Sequence, residues 1–223
     1  MTAGDGSADR LALADWRRRI VELYGEVRER AATDPESAWN HWRATRDLLY
    51  RTHPQSPVPA ANRATFRANY WPYDPRLRFE VNVALADPDG TPNASPNASP
   101  IAGLSLPMST GAALEFTKIG DIRIPLPSGP RTLDLFWMAG YAGGLFLPFR
   151  DATNGAATYG AGRYLLDTAK GADLGGDLIA GRLTIDFNFA FQPSCAFDPR
   201  WSCPLAPPEN RLDVAIEAGE RIG

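Results

Sequence analysis

With 223 residues, 44% of them hydrophobic and 22% charged, the chain is long enough to bury one sizeable core and close to globular averages, which excludes a disordered or membrane-embedded class. The net charge is only −3 and the cations are nearly all arginine, Lys118 and Lys170 being the only lysines, so the strong basic excess of a nucleic-acid binder is absent. The first residues carry no secretory signal and no apolar run approaches the roughly 20 residues of a spanning helix, so a cytoplasmic location without membrane contact is expected.

From Ala8 to Ala31 the residues Leu13, Trp16, Ile20, Leu23 and Val27 recur three or four apart and predict a helix with one apolar face. Asp34-Pro35-Glu36 is a second helix start, with Asp34 as N-cap and Pro35 at the first helical position. That helix runs to about Arg51, with Trp39, Trp42, Arg46, Leu49 and Tyr50 on one face, and the short link folds the pair back on itself. The prolines between Thr52 and Pro59 favour an extended path, on which His53 reads as a structural donor rather than a catalyst.

The aromatic cluster Tyr70 to Pro75 leads into a strand at Arg78 to Leu85, whose alternation turns Phe79, Val81, Val83 and Leu85 inward. Asp87 to Pro100 contains a tandem Asn-Ala-Ser-Pro repeat, has almost no apolar side chain, and reads as a mobile loop inserted in a hairpin. Its two sequons, at Asn93 and Asn97, read as chance matches in an unexported chain.

Short runs bounded by Gly or Pro then predict strands at Ala113 to Ile119, Ile122 to Leu126 after a turn at Gly120-Asp121, Thr132 to Met138 and Leu145 to Phe149. Four more are expected at Ala157 to Tyr159, Arg163 to Asp167, Leu183 to Ala190 and Leu212 to Glu217. The expected fold is α+β and mainly β: two N-terminal helices packed on an antiparallel β-sandwich or partly closed barrel. Residues 1–60 form the helical segment and 61–223 the β domain. No helices alternate with the strands and no Gly-x-Gly-x-x-Gly turn is present, which excludes a dinucleotide fold.

Polar chemistry is concentrated between Phe149 and Glu220. Gly160-Ala161-Gly162-Arg163 delivers an arginine to the start of a strand, either to hold an anion through its guanidinium or to form a buried ion pair with Asp186 or Asp151. Asp186 and Asn188 share one face of a strand, and Tyr159 and Tyr164 supply phenols near by. The spacing of Cys195 and Cys203 fits no common zinc signature, which leaves two reduced thiols, a disulfide or one reactive thiol. No serine-hydrolase elbow, phosphate-loop lysine or His-Glu-x-x-His motif is present, so no reaction, metal or cofactor is assigned.

Several stretches together carry a resemblance: Phe149 to Gly155, Thr158 to Leu165, Asp186 to Pro193, Cys195 to Phe197, Cys203 to Leu205, Pro207 to Asn210 and Ala218 to Glu220. Trp16 to Arg19 and Tyr70 to Pro75 add to it. With these the chain resembles the bacterial family called domain of unknown function 1684, over nearly its whole length. Phe191 and Gln192 stand where that family more often has Tyr and Asn. The resemblance implies no activity or cofactor, but adds weight to the polar stretch.

Two functions follow as expectations. In the first, Tyr159, Arg163, Tyr164, Asp186, Asn188, Glu209 and Asn210 line a polar pocket for an anionic or hydroxylated small molecule, with the segments Asp151 to Gly155, Gly160 to Arg163, Asp186 to Asn188 and Cys195 to Asn210 converging at one end of the sheet. In the second, a metal-independent enzyme uses Asp151 or Asp186 as general base, with Cys195 or a tyrosine assisting. A third reading makes the polar set a lock on the fold.

Overall fold

The computed structural model describes residues 6–86, 104–109, 113–140 and 143–222. Two helices, α1 (Ser7–Ala31) and α2 (Pro35–Thr52), open the chain. α2 buries its expected face, whereas α1 buries its own only from Ile20 onward, Trp16 being half-buried and Leu13 38% exposed because the first turns reach past the β domain's cover. Asp34 caps α2 by accepting the Ser37 N–H at 2.9 Å, and Pro35 sits in the first turn, where its missing N–H costs nothing. Among the described residues no helix is long and apolar enough to cross a membrane.

Nine strands follow among the described residues: β1 (Asn69–Tyr70), β2 (Arg78–Leu85), β3 (Leu104–Pro107), β4 (Ala113–Ile124), β5 (Arg131–Met138), β6 (Gly144–Phe149), β7 (Arg163–Asp167), β8 (Arg182–Asp186) and β9 (Glu220–Arg221). Seven of them form one sheet in the order β7-β6-β5-β4-β2-β8, with β3 also paired to β4, while β1 and β9 pair separately. All of these pairings are antiparallel. The sheet curls into a half-barrel behind the two helices, so the fold is the partly closed form of the expected architecture. Its main core joins Ile122, Leu133, Leu147, Phe149, Ile185 and Phe187.

The helices have a separate core, and they do not complete it themselves. Ile20, Leu23, Tyr24, Val27, Trp39 and Trp42 close over Ala172, Leu174 and Phe189, which come from the β domain. The Trp39 indole N–H donates to the Asn188 carbonyl at 2.9 Å. Exposing such a face would forfeit about 1.5–3 kcal/mol for each large apolar side chain. We therefore propose that residues 1–60 are an appendage that depends on 61–223 for its fold. A fragment of residues 1–60 is expected to melt without a cooperative transition by circular dichroism, and a sigmoidal melt would contradict this.

Several sequence expectations are corrected. Gly120-Asp121 is not a turn, because β4 runs straight through it with a register shift between Lys118 and Gly120. A side chain at Gly120 would stand 2.4 Å from the Ala84 carbonyl, so the glycine permits close strand approach at a bulge. Leu85 is 50% exposed, since its cross-strand partner is that same glycine and offers nothing to cover it. β3 has no counterpart among the expected strands.

Residues 157–159 form no strand: the Thr153 carbonyl gathers the N–H groups of Ala156, Ala157 and Thr158 into a tight turn. β8 stops at Asp186, whose carboxylate accepts the Asn188 N–H at 2.9 Å and turns Phe187–Phe189 into a 3-10 helix. The stretch from Leu212 to Glu217 joins the sheet margin only through single bonds, such as Leu212 N–H to the Arg150 carbonyl and Ala152 N–H to the Val214 carbonyl. The Asp87 to Pro100 loop and its sequons lie outside the described residues.

Candidate functional site

Gly162 adopts a left-handed backbone, and a Cβ there would meet the Phe149 carbonyl at 2.5 Å. That close approach feeds Arg163 into the start of β7 with its side chain fully buried. The guanidinium donates to the carbonyls of Ala218, Glu220 (3.1 Å) and Ile216 (2.8 Å), and to Asp151 Oδ2 (3.4 Å). Burial lowers the Arg163 pKa to about 10, against the opposing pull of the Asp151 charge. Asp151 also accepts the Ile216 N–H at 2.7 Å and the Thr153 hydroxyl at 2.8 Å. Thr153 in turn bonds Thr158. This network clamps the C-terminal segment onto the half-barrel.

Asn188 and Asn210 stand in for backbone. The Asn188 side chain accepts the Asp74 N–H and donates to the Asp74 carbonyl, both at 2.8 Å, and also donates to Asp186 Oδ1. The Asn210 side chain treats Asp134 in the same way, at 2.8 and 2.9 Å, and reaches the Pro148 carbonyl at 2.7 Å. Asp186 is fully buried, and that burial pushes its pKa up, partly offset by bonds from Asn188 and by Arg78. Glu209, beside Asn210, is exposed.

The candidate residues therefore fall into separate networks rather than one pocket. Arg163 is joined to Asp151, Asp186 to Asn188, and Asn210 to Asp134. None of these residues, nor Tyr159, Glu209 or Cys195, lines the cavity between the two helices and the β7 region. Tyr164 does: its hydroxyl donates to the Pro204 carbonyl beside a cavity of about 70 Å³ enclosed by α1, α2 and the β7 region.

The remaining walls of that cavity come from residues the sequence reading did not select. Tyr24 projects from α1, Arg46 and Tyr50 from α2, and Lys170, Phe191, Gln192 and Cys203 from the connections of the β domain. Arg46 is buried and bonds both oxygens of Glu220, at 2.6 and 3.2 Å, amid the rings of Trp42, Tyr50 and Phe191. Glu220 also accepts the Gln192 N–H at 2.7 Å. Lys170 pairs with Asp167 at 2.9 Å. Burial raises the phenol pKa values of Tyr24 and Tyr50, so both rings stay protonated donors at neutral pH. Gln192 Oε1 is buried and has no hydrogen-bond partner among the described residues. The one sequence signal for this site is Arg46, a cation in the middle of an apolar helix face.

The two cysteines are free and buried. The Cys195 N–H points at Cys203 Sγ at 3.3 Å, and Cys203 is held by Ser109 through reciprocal bonds of 3.1 and 2.9 Å. Among the described residues no group of three or more His, Cys, Asp or Glu is placed to hold a metal ion. His53 is buried, its ring held between Asp15 and the Gln55 N–H.

A comparison with curated proteins finds no match. Among solved structures, the solution NMR structure of an uncharacterized protein from Haloarcula marismortui is 30% identical, with a TM-score of 0.56, over 84% of this chain and 94% of that one. The family model described as a protein of unknown function (DUF1684) matches residues 65–221, which span the half-barrel, the clamp around Arg163 and the β-domain wall of the cavity. The chain therefore belongs to the DUF1684 family.

Proposed function

We propose that the protein binds a small hydroxylated molecule in the cavity between the two helices and β7. The observation that carries this reading is Gln192, a residue of the cavity wall whose Oε1 is buried with no partner among the described residues. An unmet buried acceptor costs about 1–3 kcal/mol, and a ligand hydroxyl would satisfy it. Protonated Tyr24 and Tyr50 offer complementary donors, and the surrounding aromatic rings offer apolar faces.

Charge argues for a neutral ligand over an anion, because Arg46 is already matched by Glu220 and Lys170 by Asp167. The volume of about 70 Å³ suits a compact group, since each liquid water occupies about 30 Å³. A carboxylate-base enzyme finds less support, as Asp151 and Asp186 are enclosed by their own partners.

Binding is tested by NMR titration of the full chain with small alcohols and two- and three-carbon polyols, set against small carboxylates and inorganic phosphate. Saturable shifts are expected for a neutral hydroxylated compound, with affinity falling roughly fivefold or more in Gln192→Leu, the loss of one neutral hydrogen bond. Saturation by anions alone, or by no compound in the panel, would overturn the reading.

A further inference from the structure

We propose that Cys195 and Cys203 form an oxidisable dithiol, a modification site at which a hydroperoxide converts the two free thiols into one disulfide closing the 195–203 loop. The inference is independent of the ligand reading and rests on how the chain holds the pair. Cys203 is fixed by its bonds with Ser109, while Cys195 sits in the short 3-10 turn Ser194–Ala196. That turn is anchored by Phe197, which packs edge-on to Tyr50 and Phe66 at 5.4 and 5.8 Å. Between these anchors the Cys195 amide is already 3.3 Å from the Cys203 sulfur. The two side chains therefore meet without refolding of the loop.

The pair is also chemically unequal. The Cys203 thiol and the Tyr159 phenol both hydrogen-bond the Cys195 sulfur, and together they outweigh burial and hold its pKa well below that of an ordinary thiol. Cys203 is displaced the other way, chiefly by that same bond with Cys195. Cys195 is thus the readier thiolate for attack, and Cys203, whose sulfur the Cys195 amide already approaches, stays protonated as the resolving thiol. Cys195 keeps 8% of its own surface exposed to a peroxide, and the cavity of about 70 Å³ lined by its partner Cys203 is wide enough to hold one.

The step balances as follows. The Cys195 thiolate attacks one oxygen of hydrogen peroxide and breaks the O–O bond, giving Cys195 sulfenic acid and hydroxide, and the hydroxide is neutralised to water by the proton that Cys195 released to solvent on ionising. Cys203 sulfur then attacks Cys195 sulfur, the S–O bond breaks, and the departing hydroxyl leaves as water with the Cys203 proton. Each sulfur is oxidised by one electron, and the peroxide is reduced to two waters.

The test is to treat the reduced full-length protein with hydrogen peroxide at neutral pH and follow intact mass and mapped peptides. The wild type is expected to lose two hydrogens through a Cys195–Cys203 crosslink that dithiothreitol reverses. Cys203→Ser should stop at a sulfenic acid on Cys195 that dimedone traps. Cys195→Ser should consume peroxide at least about tenfold more slowly, because an ordinary thiol of pKa about 8.5 is only a few per cent ionised at neutral pH. Tyr159→Phe leaves both thiols in place and should slow the wild-type reaction several-fold. A wild-type protein whose thiols survive peroxide would overturn the proposal. So would crosslinks only between chains, or equal rates for the two cysteine variants.

Discussion

Arg163→Ala is expected to cost roughly 3–5 kcal/mol of stability, the range seen when one partner of a buried ion pair is removed and the other is stranded. The truncation leaves Asp151 as a buried charge and strips donors from the carbonyls of Ile216, Ala218 and Glu220 at once. Arg163→Lys should recover little of this, because a single ammonium cannot span those acceptors as the planar guanidinium does. Against a typical total of about 5–15 kcal/mol, either change brings the fold close to its limit. Urea unfolding followed by tryptophan fluorescence measures the effect. A loss under about 1 kcal/mol would show that water replaces the guanidinium and that the network is no clamp.

The same residues show how far the sequence could be read. Helix periodicity, the Asp34-Pro35 start and the alternation of β2 are local signals, and the structure follows them except at the element ends, where Leu13 and Leu85 lie exposed. The pairing of Arg163 with Asp151 was one of the alternatives open from residue types, since a buried arginine needs a carboxylate. What escaped depends on contacts distant in sequence. Gly120 reads as a turn residue until the Ala84 carbonyl is seen lying against it. Asp186 and Asn188 read as neighbours on one strand face until the Asp186 side chain caps a helical turn and Asn188 reaches across to Asp74. Their convergence with Arg163 and Asn210 on one pocket was inferred from residue type, yet each is consumed by backbone groups, a use that polarity alone does not distinguish from a binding role. The cavity was hidden because Tyr24, Arg46, Tyr50 and Gln192 come together only when the helices dock, although Arg46 on an apolar face was a visible anomaly.

That anomaly carries the second large effect. Arg46 and Glu220 join α2 to the C-terminal strand pair β1–β9, and both are almost fully buried. Arg46→Met removes the cation but leaves a methylene chain that fits among Trp42, Tyr50 and Phe191, so the loss of about 3–5 kcal/mol expected for it comes from the stranded Glu220 carboxylate rather than from packing. Glu220→Gln keeps an acceptor for the Gln192 N–H while leaving Arg46 without a counter-charge, and a similar loss is expected. The double variant Arg46→Met/Glu220→Gln buries neither charge and retains the Gln192 bond. It should therefore recover to within about 2 kcal/mol of the wild type, as neutral replacements of buried ion pairs do. Chemical denaturation of the four proteins measures the coupling. If the two single losses simply add in the double variant, charge compensation is not what holds the helices to the half-barrel, and packing around Trp42 would have to account for their docking.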